Sequence, residues 1–220
     1  ESPIIEIEAQ TPLPLGVAII LTEPFPSSLT LAQGNSLANM LAEKGWNVVI
    51  SPFNLPVNVT SQQNLPAEST NTDISDAETT SMSAQNIHPR SNQLTQYLNF
   101  ESATSALSLQ LNALNNYLQD NSGYRMVIAQ GMLATTYLSV VEQQPQLHPD
   151  TFVAISPFWP EESTNTLVID NIAQSSFPIL DLSLSGFNDW ANSTTQKRKI
   201  SAKNALKMHY RQIIIPSNLL

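Results

Sequence analysis

Short apolar runs alternate with polar, turn-rich stretches along most of the chain, and their period switches between two and about 3.6 residues. "PIIEIEA" (3–9) alternates apolar and acidic positions, as a half-exposed edge strand does. "GVAIILTE" (16–23) is continuously apolar, which predicts a strand covered on both faces. Ser27, Ser28 and Thr30 offer caps for a following helix with apolar positions at Leu37, Met40 and Leu41, and Gly45 is placed as its C′ residue. "WNVVISPF" (46–53) predicts a second buried strand. Leu107, Leu111, Leu114 and Leu118 then mark one face of a helix, and "YRMVIAQG" with "MLATTYLSVVEQQ" reads as strand followed by helix, ended by Pro145. "TFVAISPF" (151–158), the helix "TLVIDNIAQS" (166–175), "FPILDLSLS" (177–185), a polar-to-basic helix over about 189–208 and "RQIIIPSNLL" continue the alternation.

Strands alternating with helices of crossover length imply an α/β fold, a three-layer α/β/α sandwich around a mostly parallel sheet. Residues 54–96 break the pattern. Pro, Asn, Ser, Thr and Gln dominate there, so the stretch is read as a polar insertion, a flexible excursion or a lid within a single domain spanning 1–220. Ligands of such sheets bind beyond the carboxyl ends of the strands. This directs attention to Thr22-Glu23, Ser51-Pro52, Gln130-Gly131, Ser156-Pro157 and Ser185-Gly186.

Composition narrows the chemistry. Charged residues make up 12% of the chain against about 25% in ordinary domains, so uncharged polar side chains solvate the surface. Cysteine is absent, which removes disulfides, thiolate metal sites and a Cys nucleophile. All eighteen acids lie at or before Asp189, leaving −15 over residues 1–196, whereas six bases fall between Lys197 and Arg211. An acidic body argues against nucleic acid as a partner. No apolar run reaches the length of a membrane span. The first residue is Glu1 rather than Met, from which a removed leader and an exported, periplasmic protein are expected. His88, His148 and His209 stand apart from other ligating residues, and the chain has no P-loop and no G-x-G-x-x-G, so no metal and no cofactor are expected.

The strand-to-turn-to-helix passage at 124–138 has the form of a nucleophile elbow, in which a strand enters a strained turn and presents Ser, Cys or Asp at its apex. Superposition of that motif gives Ala129-Gln130-Gly131-Met132-Leu133, with Gly131 where the nucleophile belongs. Glycine accepts the strained backbone but has no attacking atom. The turn that should supply an oxyanion hole is "LTEPFPSS", where Pro24 and Pro26 have no N–H. Asp189, three residues past Gly186, fits the position of a triad acid, and no His follows His209 to serve as base. Ser156 and Ser185 at strand ends are weaker nucleophile candidates, with strand-end capping as the other reading. Asp181 inside an apolar strand must be paired or neutral, with Arg211 or a backbone N–H as its expected partner. Lys199, Lys203 and Lys207 are spaced to line one helix face. That face is either a docking surface for an anionic headgroup, glycan or acidic partner, or a solvated face balancing the acidic body.

"EKGWNVVISPFNLP", "VIAQGMLA", "FPILDLSLS" and "AKNALKMHYRQIIIP", in this order and spacing, resemble the bacterial family catalogued as domain of unknown function 3530. The resemblance implies an α/β-hydrolase-like fold in an exported protein of Gram-negative bacteria, without an established activity. The family's elbow reads G-H-G-x-G-A. Here Ala129 and Gln130 replace its Gly-His, Gly131 keeps its glycine, Leu133 replaces another, and "TEPFP" stands where the family has a glycine-rich turn. The expectation is a non-catalytic, degenerate α/β-hydrolase-fold protein of the cell envelope that binds an unidentified ligand or protein partner. The alternatives are an esterase-like serine hydrolase with a rearranged triad that uses Asp189, and a purely structural or chaperone-like role.

Overall fold

The computed structural model describes residues 3–24, 28–54, 56 and 98–216. Their strands form one seven-stranded sheet: β1 (Ile5–Ile7), β2 (Gly16–Thr22), β3 (Trp46–Pro52), β4 (Tyr124–Gln130), β5 (Thr151–Ile155), β6 (Ile179–Leu184) and β7 (Tyr210–Ile215). The spatial order is β1-β3-β2-β4-β5-β6-β7, with β1 antiparallel to β3 and every other pairing parallel. Five α-helices lie between them among the described residues: α1 (Leu31–Glu43), α2 (Phe100–Tyr117), α3 (Gly131–Gln143), α4 (Glu162–Gln174) and α5 (Asp189–Asn204). Every residue of β2 is buried, as its unbroken apolar run requires, and the alternating β1 lies at the sheet edge.

Helices flank the sheet on both sides. One face carries α2, α3, α4 and α5, and its core runs from Val17, Ile19 and Leu21 through Val127 and Phe152 to Ile179. The leucine stripe of α2 lies in this core, with Leu107, Leu111 and Leu114 buried and Leu118 buried as the C-cap residue. α3 is buried all round from Gly131 to Val141, which explains an apolar pattern with no polar face. Tyr137 of α3 stacks on Phe152 with ring centroids 4.6 Å apart. The opposite face carries α1 over β2 and β3, and Leu180 and Leu182 of β6, beyond the reach of α1, stay half-buried.

Several sequence expectations need correction. Met40 is 62% exposed, because α1 approaches the sheet through the small residues Gly34, Ala38 and Ala42 instead. A Cβ on Gly34 would come within 2.5 Å of the Thr22 methyl, so the close approach depends on glycine there. The cap of α1 is Thr30 alone, in a capping box with Gln33, while Ser28 bonds elsewhere and Ser27 lies outside the described residues. The basic helix ends at Asn204 rather than near 208. Leu206 takes a left-handed φ of 53°, and the N–H groups of Leu206 and Lys207 bond back to the carbonyls of Lys203 and Ala202, a Schellman stop without glycine. Apart from Asn54 and Pro56, the 54–96 insertion lies outside the described residues.

Candidate functional site

The carboxyl ends of β2 and β4 meet at the strand-to-helix turn. Gly131 opens α3 with φ +64°, a left-handed backbone that favours glycine, and Gln130 before it is extended and buried. Met132 and Leu133 turn directly into the core. The turn therefore has the sharp geometry of an elbow, and its apex residue offers only hydrogen.

What faces this turn is a carboxylate. Glu23, the residue after β2, is 2% exposed, and its Oε2 accepts a 2.7 Å hydrogen bond from the Ser28 hydroxyl. The same hydroxyl lies 3.4 Å from the Gln130 carbonyl oxygen, so one side chain separates Glu23 from the elbow. The Glu23 N–H, which follows the strand where an oxyanion donor would sit, donates to the Leu29 carbonyl at 2.8 Å. Pro24 beside it has no N–H. An acyl-transfer site needs donors aimed at developing negative charge, and this arrangement supplies a carboxylate and a spent amide. In the sequence Glu23 is marked only as a strand-end residue and Ser28 only as a helix-cap candidate, and nothing there links either to the elbow.

The remaining candidates are dispersed. Ser156 is buried with φ +43°; its Oγ accepts from the Leu184 N–H at 2.9 Å and its own N–H donates to the Leu182 carbonyl at 2.8 Å. It sews the end of β5 to β6. Ser185 is half-buried and its N–H pairs with the Ile215 carbonyl, closing β6 on β7. Asp189 is exposed in the first turn of α5, next to Asn188, which caps that helix through the Trp190 and Ala191 N–H groups. His148 sits before β5, at the amino edge of the sheet, bonded to the Val141 carbonyl and the Ser176 hydroxyl. His209 precedes β7 at the same edge, and His88 lies outside the described residues. Among the described residues no histidine reaches the carboxyl end of the sheet, and no group of three His, Cys, Asp or Glu could hold a metal ion.

Asp181 is paired, though not with Arg211. In the register of β6 and β7 it stands opposite Gln212, whereas Arg211 stands opposite Leu180 and belongs to the other face. Its partner is Arg198 of α5, with Nε to Oδ2 at 2.8 Å and both side chains fully buried. Arg198 also donates to Ser183, to the Ala191 carbonyl and to Thr194, while Tyr210 (2.7 Å) and Gln212 (3.0 Å) donate to Asp181. Burial first and the Asp181 carboxylate second push the Tyr210 phenol well above its ordinary range, and burial does the same to Tyr137. Both phenols keep their protons in the fold at a pH where the unfolded chain releases them. Their stability contribution is complete below about pH 10 and declines as pH rises beyond it. The melting temperature is expected to fall across roughly pH 10 to 11, less steeply in Tyr210→Phe, and thermal melts over that range check it.

The lysine stripe is broken. Lys199 and Lys203 are exposed on α5, but Lys207 lies past the Schellman turn, where its ammonium donates to the Ser175 carbonyl and hydroxyl and to the Phe177 carbonyl. Burial lowers its pKa. It therefore caps the end of α4 and does not extend a surface.

Comparison with known proteins places this architecture. No protein-family model matches the chain, and no curated protein matches it by sequence. Solved structures do. Esterase 2 of Thermogutta terrifontis aligns over 97% of this chain and 78% of its own, with a TM-score of 0.59 and 8% identity. A Klebsiella pneumoniae protein provisionally assigned as a dienelactone hydrolase aligns over 97% and 86%, with a TM-score of 0.58 and 13% identity. An alpha-beta serine hydrolase homologue from Coxiella burnetii aligns over 97% and 80%, at 0.52 and 11%. The chain has the α/β-hydrolase fold. β4 runs directly into Gly131, whose left-handed backbone angle has the form of the turn at which a nucleophile elbow is built. No helix among the described residues is long and apolar enough to cross a membrane.

Proposed function

We propose that this chain is a non-catalytic α/β-hydrolase-fold protein that binds a ligand or a protein partner without turning it over. We further propose that it is a divergent relative of the family of unknown function 3530, exported to the envelope of a Gram-negative bacterium. The reading rests on one observation: Gly131 holds the elbow backbone at φ +64° while the buried Glu23–Ser28 pair occupies its flank. A carboxylate there opposes the oxyanion that acyl transfer would build. The second reading, an esterase-like serine hydrolase, draws its support from neighbours named as hydrolases and esterases. Fold likeness alone does not carry an activity across.

The full chain is expected to show no turnover of nitrophenyl acetate or butyrate and no labelling by a fluorophosphonate probe. Turnover removed by a single Ser or Asp189 substitution overturns the reading. Gly131→Ser is expected to remain inactive, since Glu23 and the spent amide stay in place, and to cost about 1–2 kcal/mol for a side chain at left-handed φ. Urea unfolding and the same ester assay measure both outcomes.

A further inference from the structure

We infer that the lateral end of the molecule formed by the second half of α5, the turn after it and β7 is a seat for an anionic phospholipid bilayer. β7 is the edge strand of the sheet, and α5 is fastened behind it through Arg198 to Asp181 and through Gln212 to the Thr195 carbonyl. The end therefore presents one continuous, anchored surface.

Two features coincide on it. Lys197, Lys199 and Lys203 are exposed and make no ion pair among the described residues, and no acid follows Asp189 in the sequence. Near them in the sequence stand large apolar side chains: Ile200 is 56% exposed, Leu206 81% and Met208 88%. Leu206 owes its position to the left-handed residue that stops α5, so the turn projects it instead of folding it back. Leu15 and Met40 are also exposed, but the cation near them is the single Lys44, which adjoins the exposed Glu43. At the α5–β7 end, by contrast, several cations with no acid after them in the sequence share a surface with apolar tips.

Charge decides the occupant. The rest of the chain carries −15 and is repelled by an anionic membrane, so a bilayer can approach only this end, which fixes the orientation. Exposed cations draw in the headgroups, and Leu206 and Met208 enter the layer beneath them. A soluble polyanion would use the cations and leave the apolar tips in water. Lys207 takes no part, since its ammonium is turned onto the end of α4. The inference does not depend on whether the elbow is catalytic.

The test is flotation of the full chain with vesicles of phosphatidylcholine alone or of phosphatidylcholine mixed with phosphatidylglycerol. Binding is expected to the mixed vesicles only, to weaken with added salt, and to fall at least about tenfold in Lys199→Glu/Lys203→Glu. Leu206→Asn/Met208→Ser is expected to weaken it comparably and to leave the fold intact, because both sites are exposed and Asn accepts left-handed φ. Circular dichroism melts confirm folding of each variant, with Lys199→Gln/Lys203→Gln as the milder replacement for the charge reversal. Absence of binding to mixed vesicles overturns the inference, as does equal binding to phosphatidylcholine alone. Heparin binding that is indifferent to the Leu206 and Met208 changes, together with vesicle binding that is also indifferent, assigns the cations to a soluble polyanion and overturns it too.

Discussion

Asp181→Ala is expected to destabilise the protein by about 3–5 kcal/mol, because it leaves a guanidinium buried without its counter-ion. Both partners have no solvent exposure, so Arg198 cannot recover water when the carboxylate is removed. Its other acceptors, Ser183, Thr194 and the Ala191 carbonyl, are neutral and do not replace a charge. Tyr210 and Gln212 lose an acceptor in the same step. The doubly apolar Asp181→Leu/Arg198→Met removes the desolvated charges together and is expected to regain most of the loss. Urea unfolding of the single and double variants separates the two effects. A double variant as unstable as Asp181→Ala would show that the pair acts through shape and hydrogen bonding, with charge adding little.

That pair also marks where sequence reading reaches its limit. "TTQKRKISAK" reads as an exposed basic face, and Lys199 and Lys203 are exposed. Arg198 differs because helical period sets it in line with Ala191, Thr194 and Ala202, the buried residues of α5. The signal was present as a stripe of small residues with one arginine in it, and the charge of the run hid it. Met40 misled in the reverse sense, since a large apolar residue outscores Gly34, Ala38 and Ala42 although only small ones permit the close approach to Thr22. The edge strand and the central strand could be told apart because continuous runs such as 16–23 and alternating ones such as 3–9 differ in kind. The stop of α5 was not legible, since Leu206 gives no hint of left-handed φ.

At the turn after β4 the sequence pattern puts Gly131 at the apex, and its backbone there is left-handed. The pattern does not give its surroundings. Ser28 and Gln130 are 102 residues apart, and the contact between them is a consequence of β2 lying beside β4. The fate of the Glu23 amide depends on a turn that returns Leu29 to the strand end, a feature of backbone geometry that no residue type announces. The lack of an attacking atom at Gly131 was therefore legible in the sequence, and the Glu23–Ser28 pair beside the turn was not.

Gly16→Ala is expected to cost about 3–5 kcal/mol, combining a strained left-handed backbone with a backbone clash. Gly16 begins β2 at φ +150°, and a Cβ built there would lie 2.0 Å from the Tyr124 carbonyl oxygen and 2.4 Å from its nitrogen. Backbone cannot swing aside as a side chain can, so β2 and β4 would have to part at their shared start. These two strands are paired from Gly16–Tyr124 to Ile20–Ile128 and carry Glu23 and Gly131 at their far ends. A displacement at the base is thus transmitted along rigid strands to the elbow. At about 2–4 °C per kcal/mol for a chain of this size, the melting temperature is expected to fall by roughly 6–20 °C. Gly123→Ala is the informative comparison: its φ is +104°, but its added Cβ would meet the Gly16 Cα no closer than 3.0 Å. The smaller loss expected there isolates the clash from the strain. Equal losses in the two variants would assign the whole effect to backbone conformation.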